Sequence, residues 1–170
     1  RNVIENQLVE KDGKWVMDWE DFEAKLQMAD IFLLCNPHNP VGHAWEREVL
    51  EKLWNILSKY GVWLVSDEIH EDFQLVPGCF TPVLNIATGE NDKVCSLTSA
   101  SKSFNLAGLQ QAVMFTRNQD MKARMEAAMH NAGVVQGNIF AMEATEAAFA
   151  HGDAWLDGLL DYLRGNAEYL

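Results

Sequence analysis

Lys102 sits in Ser99-Ala100-Ser101-Lys102-Ser103-Phe104-Asn105, directly after the apolar, strand-like run Val94 to Thr98. A lysine at the mouth of a strand is costly to bury unless something uses its amine. Small hydroxyl residues on either side hold an anion without blocking access. Together they suit an amine that forms an imine with an aldehyde cofactor whose phosphate lies alongside. The same stretch also fits an ordinary surface loop, with Asn105 as N-cap of a helical turn over Leu106 to Leu109. Other strand ends have to decide between the two.

Two more such ends lie upstream. Ile31 to Cys35 is a continuous apolar run, the pattern of a strand buried on both faces. It stops at Asn36-Pro37-His38-Asn39-Pro40-Val41-Gly42, where two Asn-Pro steps and a glycine exclude helix and ladder alike. Trp45 to Tyr60 has the apolar stripe of an amphipathic helix (Val49, Leu50, Leu53, Trp54, Leu57), with Gly61 as its left-handed end. Val62 to Ser66 reads as a second buried strand, closed by Asp67-Glu68-Ile69-His70. Strand, helix and strand in this order predict a right-handed parallel unit. Ligands of open parallel sheets bind at the carboxyl ends of the strands, so Asn39, Asp67 and Lys102 are expected in one crevice. Those are the residue types of a pyridoxal phosphate site. The lysine forms the imine, a carboxylate keeps the pyridine nitrogen protonated, an amide donates to the ring oxygen, and hydroxyls take the phosphate. Each also has a plainer reading: Asn39 as a turn residue, Asp67 as a helix cap, Ser101 as a turn hydroxyl.

The remaining chain supplies the frame. Gln7 to Glu10 and Lys14 to Met17 flank Asp12-Gly13, a hairpin signal. Asp18 caps a predicted helix over Trp19 to Gln27. Phe73 to Asn85 is loop-like, and Gln111 to Thr116 is a candidate strand. Asn118 opens a helix whose Met121, Met125 and Met129 read as core filler. A glycine-flanked break, Gly133 to Gly137, precedes a helix over Asn138 to Ala150, and a final helix starts near Asp153. Glu143 and Glu146 read as a solvated face, and the six tryptophans as packing residues.

Composition bounds the function. The chain has 170 residues, 48% of them hydrophobic, enough for one core. A formal net charge of −12 disfavours nucleic acid and anionic membrane as partners, since both call for clustered Lys and Arg. No apolar run approaches the ~20 residues that span a bilayer, and the polar first residues do not read as a signal peptide. Cys35, Cys79 and Cys95 are odd in number and scattered, which predicts free thiols in a reducing, cytoplasmic compartment. No metal is expected: His38, His43 and His70 form no helical pair. Arg1 is no initiator methionine, and the stretch Asp153 to Leu170 reads as a helix without a C-cap, so the expectation is a piece of a longer protein.

The three motifs resemble those of the fold-type I, pyridoxal-phosphate-dependent class I/II aminotransferase superfamily. Asn36 to Gly42 is similar to its Asn-Pro-x-Asn-Pro-Thr-Gly, with Val41 replacing threonine. Ser66-Asp67-Glu68-Ile69-His70 is similar to its Ser-Asp-Glu-x-Tyr, and Ser99-Ala100-Ser101-Lys102 to its Ser-x-Ser-Lys. The resemblance implies an α/β, three-layer large domain with a mostly parallel sheet flanked by helices. Residues 1–152 would form part of it, and 153–170 the start of the helix leading to a small C-terminal domain. It implies Lys102 as Schiff-base lysine and acid/base, Asp67 at the pyridine nitrogen, Asn39 at the ring oxygen, and Ser99, with Ser101 second to it, at the phosphate. Two departures are His70 for the usual tyrosine and Gln110 for the usual phosphate-gripping arginine; the runs Asp67 to His70 and Ser101 to Leu109 are similar to the MalY/PatB-type cystathionine β-lyase branch, in which these departures are expected. His70 would then serve the ring oxygen as tyrosine does, although a packed or surface histidine is its plainer reading. Resemblance to that branch implies α,β-elimination of L-cystathionine or related S-substituted cysteines to thiol, pyruvate and ammonia by a cytoplasmic homodimer. The alternatives are an aminotransferase and a scaffold whose catalysis is lost.

Overall fold

The computed structural model describes residues 2–134 and 137–170. It begins with the hairpin: β1 (Leu8–Lys11) pairs antiparallel with β2 (Lys14–Met17), register Leu8 with Met17. Asp12 (φ 53°) and Gly13 (φ 75°) both take left-handed backbone, which matches the twist of a two-residue connection. Helix α1 (Trp19–Leu26) is capped as its sequence predicts, Asp18 accepting from the Asp21 amide.

The central sheet runs in the order β3 (Ile31–Cys35), β4 (Trp63–Asp67), β5 (Val94–Thr98), β6 (Val113–Phe115). The first three are parallel and β6 returns antiparallel. Helix α2 (Arg47–Tyr60) makes the predicted crossover. It ends at Gly61 (φ 68°), whose amide donates to the Leu57 and Ser58 carbonyls. The crossover places α1 and α2 over one sheet face, where Phe22, Leu26, Leu50, Leu53 and Leu57 pack with Leu34, Leu64 and Val94. Leu53 and Leu57 lose all contact with water, each stabilising the fold by about 1.5–3 kcal/mol.

The opposite face corrects one expectation. The strand Ile31–Cys35 is not buried on both faces: Ile31 is 54% and Leu33 73% exposed. β3 is an edge strand, and only its Phe32/Leu34 side meets α1 and α2. A continuous apolar run shows that both sides tolerate burial, not that both are covered.

Short helix α3 (Ala100–Ser103) comes after β5, and a 3-10 turn (Ala107–Leu109) precedes β6. Helices α4 (Gln119–Asn131), α5 (Ile139–His151) and α6 (Asp153–Tyr169) complete the chain. Asn118 caps α4 through the Met121 amide, as predicted. The methionines are not core filler, however: α4 has no buried residue, and Met125 and Met129 are exposed. Residues 135 and 136 of the predicted Gly133 to Gly137 break lie outside the described residues. Glu143 and Glu146 are both exposed, a solvated face as expected. Of the tryptophans, Trp45 is buried, whereas Trp15 and Trp155 are exposed. Among the described residues no helix is long and apolar enough to cross a membrane.

Candidate active site

The loop after β3 is built around Asn36 and Trp45, both buried. The Asn36 side chain accepts from the Trp45 amide (3.1 Å) and donates to the Thr81 carbonyl (3.2 Å). The Trp45 indole N–H donates to the Cys35 carbonyl (3.1 Å), and the His43 ring meets the indole edge-on at 4.7 Å. The His38 amide donates to the His43 carbonyl (2.7 Å), closing the loop at its base. Both Asn-Pro peptide bonds are cis. This framework leaves Asn39 exposed at the loop tip, its amide 3.5 Å from the Cys35 sulfur. Burial, and secondarily the nearby His43, push the His38 imidazolium below the usual histidine range.

The end of β4 is extended one residue beyond the sequence reading, so Asp67 is its last residue. Its carbonyl accepts from the Asn36 amide (2.9 Å), while the next amide, Glu68, donates to the Leu97 carbonyl (2.8 Å). The three strand ends are thereby tied side by side. The Asp67 side chain is exposed, and Oδ1 accepts from the Ile69 amide (3.1 Å). Asp67 therefore caps a turn, not a helix. Two 3-10-like bonds continue the segment, from Glu71 N to the Glu68 carbonyl and from Phe73 N to the His70 carbonyl. His70 is half-buried, its ring tilted against Phe73 at 6.0 Å.

The end of β5 differs most from expectation. Lys102 lies inside α3, not in a loop ahead of a helix, and the N-cap of that helix is Ser99. Asn105 caps nothing: it takes left-handed backbone (φ 55°), and the turn expected after it begins at Ala107. Ser99 Oγ accepts from the Ser101 amide (3.0 Å) and lies 2.5 Å from both Ser101 Oγ and the Gln111 carbonyl. One hydroxyl carries one proton, and the carbonyl takes only donors, so the Ser99 proton goes to Gln111. Ser99 is 3% exposed, whereas Ser101 is half-buried and Lys102 exposed. Ser103 is fully buried, with a hydroxyl unpartnered among the described residues. Gln110, which stands in place of the usual arginine, is exposed at φ 54°.

Phe104 anchors this helix from behind. Its ring meets Phe149 of α5 edge-on and Trp155 of α6 at a tilt, both at 5.8 Å. It rests against Gly152, where an added Cβ would stand 2.3 Å from Phe104 Cε1 and 2.4 Å from the Ala148 carbonyl oxygen. Gly152→Ala is therefore expected to destabilise the protein by about 1–3 kcal/mol through overpacking. Urea unfolding midpoints measure this, and an unchanged midpoint would show that Phe104 is not held there.

Asn39, Asp67 and Lys102 thus project from three successive strand ends, with the Ser99/Ser101 pair beside the lysine. An exposed amine, carboxylate and amide with adjacent hydroxyls match the polar groups of an aldehyde-bearing pyridine phosphate, so the donor set fits that cofactor. Sequence reasoning missed the support beneath: Glu68, 1% exposed, accepts from Ser66, Ser96 and the Val83 amide. An acidic residue directly after an alternating buried strand was the available signal. Burial raises the Glu68 carboxyl above the usual range, its three donors opposing. Burial likewise pushes the neighbouring Cys95 thiol up to about 11, which keeps it unreactive. No cluster suited to a metal ion occurs among the described residues.

The chain belongs to the aminotransferase class I and II family, whose model matches residues 4–170. Within that family it is 39% identical over 168 residues to the cystathionine beta-lyase PatB of Bacillus subtilis, a match covering 98% of this chain and 43% of that protein. It is 34% identical to the protein MalY of Escherichia coli, covering 100% of this chain and 44% of MalY. The fold superposes on cystalysin from Treponema denticola, which contains a pyridoxal 5′-phosphate cofactor (TM-score 0.86, 32% identity, 95% of this chain and 41% of that one). It superposes equally on the PLP-bound C-S lyase of Staphylococcus hominis (TM-score 0.86, 29% identity, 95% and 41%). The chain therefore spans less than half the length of these relatives.

Proposed function

We propose that this chain is the lysine-bearing part of a pyridoxal-phosphate-dependent carbon–sulfur β-lyase of the cystathionine β-lyase type. The observation that carries the proposal is the placing of Asp67 and the Lys102 segment on adjacent parallel strand ends, in a chain similar to PatB along 98% of its length. Bound there, the cofactor supplies a carbonyl for an amine and a ring that draws off an electron pair.

The chain's own residues do the rest. The Lys102 amine would hold the cofactor and, when free, would take the proton from the substrate Cα. The Asp67 carboxylate holds a proton at the ring nitrogen. The Asn39 amide donates to the ring oxygen, with His70 as a second group there. Ser101 has the freer hydroxyl for the phosphate, while Ser99, its proton directed to Gln111, fixes Ser101 in place. As Lys102 takes the Cα proton, the Cβ–S bond would break, and the sulfur, leaving with the bonding pair, would take up that proton and depart as a thiol. Water releases the remaining three carbons as pyruvate and ammonia. L-Cystathionine gives homocysteine, and related S-substituted cysteines give their own thiols.

A cytoplasmic homodimer is part of the proposal, supported by the family resemblance and by three free cysteines. Incubating the full-length protein with L-cystathionine is expected to release pyruvate and homocysteine in equal amounts. Amino-group transfer to a keto acid without pyruvate would favour an aminotransferase instead, and loss of the visible cofactor band altogether would favour a scaffold.

A further inference from the structure

A buried polar layer lies under the three strand ends, and the proposed chemistry leaves it without a task. Glu68 Oε1 accepts from Ser66 Oγ (3.0 Å) and from the Val83 amide (2.9 Å), and Oε2 from Ser96 Oγ (2.5 Å). These donors belong to β4, to β5 and to the 3-10 turn Val83–Asn85. One turn further on, Glu71 accepts from Thr98 Oγ1. Two carboxylate–hydroxyl rungs therefore fasten the segment 68–71 to alternate residues of β5. The same layer reaches the Asn39 loop, because the strap carrying Val83 is also gripped through the Thr81 carbonyl by Asn36.

Burying a carboxylate is unfavourable unless donors compensate it, and an apolar residue of similar size would serve a core at least as well. What the carboxylate adds is a fixed distance. Asp67 is exposed and, among the described residues, its side chain bonds only within its own turn. Its height over the sheet is set by Glu68 on the next peptide. The Lys102 helix starts shortly after Thr98, the residue that makes the second rung.

Resting on the cofactor reading, we infer that Glu68 is a positioning residue for this site: with Ser96, Val83, Glu71 and Thr98 it clamps the Asp67 turn to the strand that delivers Lys102. The clamp works through hydrogen bonds, not through charge reaching the cofactor. Glu68→Gln should therefore be tolerated, since its Oε1 still accepts from Val83 and its amide donates to a reoriented Ser96 hydroxyl. Glu68→Met, of similar length with no polar end, should not be. Ser96→Ala removes one rung while leaving the fold's apolar contacts in place.

Two measurements on the full-length protein test this. The first is amide hydrogen exchange of the 67–73 segment without cofactor. The second is the pH midpoint of the visible band with pyridoxal phosphate bound. Ser96→Ala is expected to exchange about tenfold faster there than wild type, the effect of losing one buried hydrogen bond, and Glu68→Met, which loses all three bonds to the carboxylate, at least as much. Both should move the band midpoint by about half a pH unit or more, and Glu68→Gln should restore both readouts. Faster exchange with an unmoved midpoint in Ser96→Ala would make the clamp merely structural and overturn the inference. Unchanged exchange would overturn it as well. A wild-type protein without any visible band would sink the cofactor reading by itself, and exchange would still decide whether the clamp exists.

Discussion

Lys102→Ala is expected to remove the visible band of the bound cofactor and to slow elimination by roughly ten-thousand-fold. The proposed reaction asks the lysine for two things that no neighbour supplies: an amine that bonds the cofactor covalently, and a base at the substrate Cα. Ser101 and Ser103, on either side, offer only hydroxyls. The loss should be chemical, not structural. Lys102 is exposed on a short helix held by the Ser99 cap and by Phe104, and exposed side chains away from caps and contacts move stability by about 0.5 kcal/mol or less. The variant should therefore unfold at the wild-type urea midpoint while losing absorbance. An added small primary amine should return part of the turnover, because it replaces the missing base. A variant that kept its band would show that another group holds the cofactor.

The motif around that lysine is legible because its signal is local: three apolar runs, each ending abruptly in polar residues. Asn39, Asp67 and Lys102 stand at or just past those ends, and the strand order sets the ends side by side. What the sequence does not convey depends on partners distant along the chain. Ile31 and Leu33 have the same apolar character as Phe32 and Leu34, yet only the latter pair faces α1 and α2. The methionine stripe of α4 is spaced like a core face, but no other element covers it among the described residues. Ser99 looks like a free hydroxyl until the Gln111 carbonyl, brought back just ahead of β6, takes its proton. Glu68 reads as part of a motif. Its buried carboxylate has meaning only once Ser96 and Val83 arrive from later in the chain. Side chains whose role is set by their own peptide are readable, and those whose role is set by a neighbouring strand are not.

Asp67→Asn separates the electron sink from the covalent anchor. Asparagine keeps an oxygen for the Ile69 amide, so the turn that shapes this strand end should persist. It cannot balance a proton on the ring nitrogen, because an amide carries no negative charge. Turnover is expected to fall by about 10²- to 10³-fold, the scale seen when one preorganised electrostatic partner of a developing charge is removed. Unlike Lys102→Ala, this variant should keep a visible band, since the amine is untouched, and should unfold at the wild-type midpoint. Asp67→Glu restores the charge but carries it one methylene further from a backbone fixed by the Asn36 and Leu97 bonds. Partial recovery there would mean that charge and distance both count, and recovery to the wild-type rate that charge alone suffices. Turnover of Asp67→Asn within about threefold of wild type would remove Asp67 from the ring nitrogen. The acid partner would then have to be another carboxylate, and not Glu68 or Glu71, which are committed to Ser96 and Thr98.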